Sequence, residues 1–305
     1  MNLPTLAPRP LHGAGSGAAM AVGAMCCVQL GLALSAHLLG QIGPLGITGL
    51  RLAWAGVLLL IFVRPRPRDF TGSDLLACTA LGVVTAGLMT LFMLAIARIP
   101  LGTASALEFL GPLTVSLLGP GGARRRWAVP AAAGVALLTR PWNGGIDPAG
   151  LGFALGAGAC WGAYILLTQH VGDRVIGLSG LAVSIPVAGI VTLPAVFSSG
   201  LHALTWPLLA AMLALAALHP VLPFSLELLA LRRLTTSAFG ILMSLEPAVA
   251  VLAGLVVLGQ VPGLAAAAGV LFVVVAGIGA TRTGARTPPP HDHREATPVP
   301  AGREP

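Results

Sequence analysis

The sequence contains no lysine, and charge of either sign is scarce: 9% of its 305 residues are charged, against 56% that are apolar. A water-soluble domain carries about 25% charged residues, so an ordinary water-exposed surface is excluded. All 17 cations are arginines, and the formal net charge is +7. In a soluble chain that balance would suggest nucleic acid. Here the arginines gather between apolar runs, which is a topology pattern, and no nucleic-acid partner is expected. Cysteine is rare as well. Cys26, Cys27, Cys78 and Cys160 fall inside apolar segments, without C-x-x-C or His–Cys spacing. They read as small buried residues, and no metal site is expected. Also missing are a nucleotide-binding motif, H-E-x-x-H, and paired aspartates or a Ser–His set within the apolar runs. These absences argue against ATP-driven transport by this chain alone and against an intramembrane protease. No enzymatic activity and no cofactor are expected. The first apolar run is long enough to span and has no small-residue cleavage site after it, so no cleaved signal peptide is expected.

What is present is a series of apolar runs. Crossing a bilayer takes about 20 apolar residues. Between breakers the chain offers ten such runs: 17–39, 45–63, 74–96, 102–119, 127–140, 149–170, 177–198, 206–230, 235–258 and 263–281. The fifth is the shortest, bracketed by Arg126 and Arg140, and it spans if both arginines snorkel. Trp127, Trp142 and Trp206 fall at predicted helix ends, where interfacial aromatics belong. With the N-terminus inside, 14 arginines lie on cytoplasmic segments, including Arg64, Arg66, Arg68, Arg124, Arg125, Arg126, Arg232 and Arg233. Only Arg98 and Arg140 fall outside, and Arg51 lies within a span. This positive-inside bias predicts an all-α, multi-pass protein of a bacterial inner membrane with both termini cytoplasmic. Residues 1–16 form a cytoplasmic lead segment, and the polar, proline-rich stretch 283–305 is expected to be a disordered cytoplasmic tail. His291 and His293 in that tail read as solvated, not as metal ligands.

An internal repeat divides the rest. An offset of 135 residues aligns Arg98 with Arg233, Leu107 with Leu242, Pro112 with Pro247, and AAAGV at 131–135 with AAAGV at 266–270. Offsets of 133 and 134 align Cys27 with Cys160, His37 with His170 and Gly46 with Gly180. The expected units are 17–141 and 142–282, each of five spans. Because five is odd, the second unit enters the membrane from the opposite face. Two such units give an inverted repeat around a central cavity, a recurrent plan among secondary transporters.

Few ionisable residues enter the spans: Arg51, Glu108, Glu227 and Glu246, with His37, His170 and His219. A charge at a helix centre costs about 2.5–3.5 kcal/mol, so each needs a cavity or a partner. Glu246 is expected near the midplane, about ten residues into the ninth span. Glu108 and Arg51 are expected at matching depth toward the outside, where they either pair with each other or meet a substrate. Glu227, near Arg232 and Arg233, reads as an interfacial acid. His37 and His170, near span ends, read as structural. Pro112, Pro220, Pro223 and Pro247 each remove an N–H and free a carbonyl one turn earlier, and broken backbone at membrane depth is tolerated where it lines a cavity or is buried in protein. Gln29, Trp161 and Tyr164 add polar and aromatic groups near mid-span, the two aromatics reading equally well as helix packing.

The stretches IPLGTASALEFLGPL (99–113), GACWGAYIL (158–166) and LPFSLELLALRRLTTSAFGILMSLEPAVA (222–250) resemble EamA-type drug/metabolite transporters, in particular the threonine/homoserine exporter branch. VQLGLAL (28–34) and GPLGITGLRLA (43–53) resemble that family's first two helices. The resemblance implies a ten-helix basket of two inverted halves that exports small amino acids or related metabolites. The chain departs from the family pattern where many relatives carry an acid just after the ninth helix and this sequence has Gln260. The expected activity is secondary export of a small polar metabolite, coupled to protons, with Glu246 and Glu108 as coupling and amine-binding acids. Gln29, Arg51, Trp161 and Tyr164 are the further candidate contacts. A broader drug/metabolite efflux permease is the alternative, and a receptor or intramembrane enzyme a remote one.

Overall fold

Long apolar stretches leave the backbone no hydrogen-bond partner but itself, and helices result. The computed structural model describes residues 14–66, 68, 70–118, 122–140, 146–172, 174–175, 178–198, 205–231, 233, 239 and 242–283, and every regular element among them is helical. In chain order these are α1 (Ala14–His37), α2 (Leu39–Val63), α3 (Gly72–Ile96), α4 (Leu101–Glu108), α5 (Leu110–Leu118), a 3₁₀ turn (Gly122–Trp127), α6 (Ala128–Thr139), α7 (Pro148–Gly172) and α8 (Ser179–Ser198). They are followed by α9 (Trp206–Ala216), a π turn (Ala217–Val221), α10 (Leu222–Leu231), α11 (Glu246–Leu258) and α12 (Leu264–Thr283). Six helices, α1, α2, α3, α7, α8 and α12, are long and apolar enough to cross a membrane. The tail from residue 284, the lead segment to residue 13, Trp142, Arg232, His291 and His293 lie outside the described residues.

The ends of these helices follow from single residues. α3 opens with a capping box, in which Thr71 Oγ1 accepts from Asp74 N (3.3 Å) and Asp74 Oδ2 accepts from Thr71 N (2.9 Å). Thr205 caps α9 by accepting from Leu208 N. Gly259, at φ +65°, closes α11 in the left-handed conformation that favours glycine.

Three of the apolar runs are broken near the prolines singled out in the sequence. Residues 101–118 form two helices that meet at Phe109, because Pro112 has no N–H to give the Glu108 carbonyl. Residues 206–231 are interrupted by the π turn, in which His219 is non-helical and Pro220 removes an N–H, and Pro223 follows in the first turn of α10. Glu246 therefore sits at the break itself. It is the first residue of α11, with Pro247 in the opening turn, where a missing N–H costs nothing.

The helices pack in matched pairs. α2 and α8 run antiparallel in close contact, Gly56 facing Pro186 and Gly189 facing Ala53. A Cβ on Gly56 would lie 2.9 Å from Pro186 Cα, and one on Gly189 would lie 3.2 Å from Ala53 Cα. These two contacts interchange under an offset of 133 residues. α6 and α12 do the same: a Cβ on Gly134 would lie 2.8 Å from the Gly269 oxygen, and one on Gly269 would lie 2.9 Å from the Gly134 oxygen. Small residues at such crossings let backbones touch where apolar solvent provides no hydrophobic drive. The pattern continues with α3 on α7 and α1 on α10, and with α4 and α5 on α7 and α1 on α11. Outward faces carry large apolar side chains, such as Phe62 at 74%, Val256 at 80% and Leu264 at 91% exposure. An apolar surface of this extent fits contact with hydrocarbon rather than water.

Candidate functional site

The breaks bring polar side chains inward. Gln29, on α1, is 1% exposed and donates from Nε2 to Glu246 Oε1 at 3.2 Å. Glu246 projects from the N-terminus of α11, where the helix dipole favours negative charge. Glu108, the last residue of α4, is also buried and lies within electrostatic range of Glu246. Glu227, on α10, lies within electrostatic range of both Glu246 and Tyr164. These acids therefore form one electrostatically connected group along the row of packed helices α4, α11, α1 and α10.

The expected aromatic residues divide. Trp161 stands edge-on to Phe109, with centroids 6.1 Å apart and an interplanar angle of 73°, so it packs against the α4–α5 break beside Glu108. Tyr164, three residues further along α7, packs against a cluster that includes Cys78, Leu81 and Val171. Under that break α7 comes extremely close: a Cβ on Gly111 would overlap the Gly158 carbonyl, and one on Gly158 would lie 2.7 Å from the Glu108 oxygen.

Arg51 and Glu108 form no ion pair. Arg51 is fully buried on α2 and donates from Nη1 to Ser35 Oγ at 3.2 Å. Ser35 in turn donates to the Gly31 carbonyl at 2.6 Å. His219, in the π turn, packs on Gly31, since a Cβ added there would lie 2.9 Å from His219 Cβ. Matching depths along two helices did not bring Arg51 and Glu108 together, because depth leaves the direction in which each residue faces undetermined. Ser35, Phe109 and His219 are the residues that sequence reasoning left out of this site. One signal was available: His219 immediately precedes a proline inside an apolar run.

Of the four prolines, Pro247 adjoins Glu246 and Pro112 lies one turn past Glu108, while Pro220 lies in the turn that carries His219 and Pro223 in the first turn of α10. A separate cleft of ≈ 400 Å³ opens between α4, α6, α11 and α12, with Thr103, Arg140, Gln260 and Pro262 among its lining residues. None of the expected site residues lines it. Gln260 has a defined structural task there: its Oε1 accepts from Leu101 N at 3.0 Å, capping α4. A neutral amide satisfies that N–H as well as an acid would.

Among the described residues no group of three or more His, Cys, Asp or Glu side chains is arranged to hold a metal. The chemistry on offer is reversible binding: acids at broken helix ends suit an ammonium or a proton, and the buried arginine suits an anion.

Comparisons with known proteins agree with this architecture. The EamA-like transporter family model matches twice, at residues 15–138 and 148–281. The Threonine/homoserine exporter RhtA of Salmonella typhimurium (strain LT2) is 37% identical over 272 residues, covering 87% of this chain and 91% of that protein. The exporter of the same name from Escherichia coli (strain K12) is 38% identical over 244 residues, covering 78% and 81%. A solved crystal structure, 20% identical, matches with a TM-score of 0.59 over 89% of this chain and 99% of its own, which speaks for the fold alone. A double match over both halves, on helices broken around buried acids, makes the chain a multi-pass membrane protein that belongs to the EamA-like transporter family.

Proposed function

We propose that this protein is a secondary exporter of small amino acids of the threonine/homoserine type, or of related metabolites, coupled to protons. The observation that carries the reading is the buried Gln29–Glu246 hydrogen bond at a broken helix end. An ammonium entering this site can displace Gln29 from the carboxylate, and a proton can replace the ammonium when it leaves. One acid thereby couples two cargoes. Glu108, close by, is the second acid. The names of the relatives support the substrate class. The interchanging contacts of α2 with α8 and of α6 with α12 support two inverted units, 17–141 and 142–282, rocking about this site. In this reading the broken and shorter helices complete ten spans, both termini are cytoplasmic, and the membrane is a bacterial inner membrane. The chain performs no chemical conversion and needs no cofactor.

Counterflow in proteoliposomes tests the proposal. Vesicles preloaded with unlabelled threonine or homoserine should accumulate the labelled amino acid transiently, and a proton gradient should drive net movement. If amino acids give no counterflow while other metabolites do, the broader efflux permease replaces the amino-acid exporter.

A further inference from the structure

Among the described residues Arg51 heads the largest fully buried side chains, and no carboxylate lies within ion-pair distance of it. One of its nitrogens is engaged: Nη1 donates to Ser35 Oγ, whose own proton goes to the Gly31 carbonyl. The other two, Nε and Nη2, are buried with no hydrogen-bond partner among the described residues. These two N–H groups share one edge of the planar guanidinium and point in parallel, at the spacing of the two oxygens of a carboxylate. Beside them, His219 Nδ1 is likewise buried and without a partner among the described residues, and His219 lies within electrostatic range of Arg51.

Buried polar groups in native proteins are almost always satisfied. Here three unsatisfied nitrogens belong to two neighbouring residues. The serine relay fixes the guanidinium plane, so the free edge is held in one direction. The π turn fixes His219 against Gly31, leaving room for no larger residue at that contact. Ser35 lies six residues beyond Gln29 on α1, about 9 Å along the helix. That is too far for the adjacent ammonium and carboxylate of one α-amino acid to occupy this site and the Gln29–Glu246 pair at once, so the substrate meets the two in turn. In the proposed orientation this site lies on the outward side of the Gln29–Glu246 pair.

We propose that the Nε–Nη2 edge of Arg51, together with an Nδ1–H of His219, receives a carboxylate, and that this carboxylate is the α-carboxylate of the exported amino acid. The second half of the statement rests on the exporter reading above; the first does not. The substrate must then carry a free carboxylate, and neutral amides and esters of the same amino acids are refused.

Thermal unfolding of the purified full-length protein tests this. The ligands are L-threonine, L-homoserine, their amides, 2-hydroxybutyrate and sodium chloride. Threonine or homoserine should raise the midpoint and the amides should not. Arg51→Lys keeps the charge but loses the paired edge, and should weaken the apparent affinity about 10–100-fold, the range for hydrogen bonds to charged groups. Gly31→Ala, which displaces His219, should weaken it less. Equal stabilisation by acid and amide, no stabilisation by any carboxylate, or equal protection by chloride overturns the carboxylate site. Wild-type affinity in a folded Arg51→Lys protein does so as well. If that variant does not fold, the wild-type ligand series still decides. Stabilisation by 2-hydroxybutyrate but by neither amino acid leaves the site standing and sinks the amino-acid exporter reading instead.

Discussion

Where α1 crosses α11, Gln29 reaches Glu246 through a 3.2 Å hydrogen bond. Where α7 crosses the α4–α5 break, Gly111 meets Gly158 backbone to backbone, with Gly162 alongside. The repeat makes these crossings counterparts: an offset of 133 takes Gln29 to Gly162, and an offset of 135 takes Gly111 to Glu246. One position pair is polar and the other has no side chains at all. A glycine crossing has nothing to rearrange and gains dispersion contact over its whole length. A side-chain hydrogen bond can be exchanged for a ligand at small net cost. The contrast points to a transporter whose two halves share a plan but divide the labour, with the α7 crossing as the fixed hinge and the α1–α11 crossing as the part that opens.

The largest effect should come from filling the hinge. In Gly111→Ala the new Cβ overlaps the Gly158 carbonyl, and in Gly158→Ala it lies 2.7 Å from the Glu108 oxygen. Neither neighbour is a flexible side-chain end, so the helices must separate. Overpacking of this kind costs about 1–3 kcal/mol, and Gly111→Ala should fall at the upper end or beyond. The midpoint of thermal unfolding in detergent measures it. A Gly111→Ala protein as stable as wild type would mean that the two crossings are equally loose, and the hinge assignment would fail.

Changing the polar crossing should leave stability nearly intact and remove function. Glu246→Gln preserves an oxygen that can accept from Gln29, so stability should change by about 1 kcal/mol or less. The carboxylate proposed to exchange an ammonium for a proton is gone, and proton-driven export should be abolished. Wild-type export with the same response to a proton gradient would make Glu246 a packing residue beside Pro247. Glu108→Gln should have a smaller effect on coupling, since the structure gives Glu108 no partner comparable to Gln29 among the described residues.

Much of this contrast is legible in the order of residues alone: the repeat offsets, the acids inside apolar runs and the prolines beside them. Two things are not. Prolines mark that a helix breaks but not which residue opens the next one, so Glu246 reads as a mid-span acid although it begins α11. Partner choice depends on rotation about each helix axis, and that is set by packing. Gly31, Gly56, Gly134 and their partners fix those rotations through contacts more than a hundred residues apart. Arg51 is therefore visible in the sequence as a buried cation, while Ser35 and His219 are not visible as its neighbours.

The smallest effect is expected at another pair of counterparts, Arg98 and Arg233. Arg98 stands 5.9 Å from the Phe153 ring centroid and bonds Asp147 Oδ2 at 3.1 Å. Arg233 instead donates to the Leu229 carbonyl and to Met20 Sδ, and Met20 is the counterpart of Phe153 at an offset of 133. The acid is thus present in one half, and its counterpart position holds Ala14. The hydrogen bond from Arg98 holds the Asp147 carboxyl below the usual carboxylate range. A lowered folded-state value means stability that is present above the unfolded value, near 4, and lost as the pH falls through the folded one. The pair is substantially exposed, at 49% and 35%, so water and salt screen it. Asp147→Asn keeps an oxygen to accept from Ala149 N, as Oδ1 does now, and loses only the charge. Its unfolding midpoint at neutral pH should drop less than that of either glycine variant. The difference from wild type should shrink in high salt and vanish once the pH has fallen below the folded-state value, where the carboxyl is protonated in both states. A difference that persists unchanged at acid pH would show that Asp147 acts through its α7 cap and not through Arg98, and the two arginines would then be electrostatically equivalent.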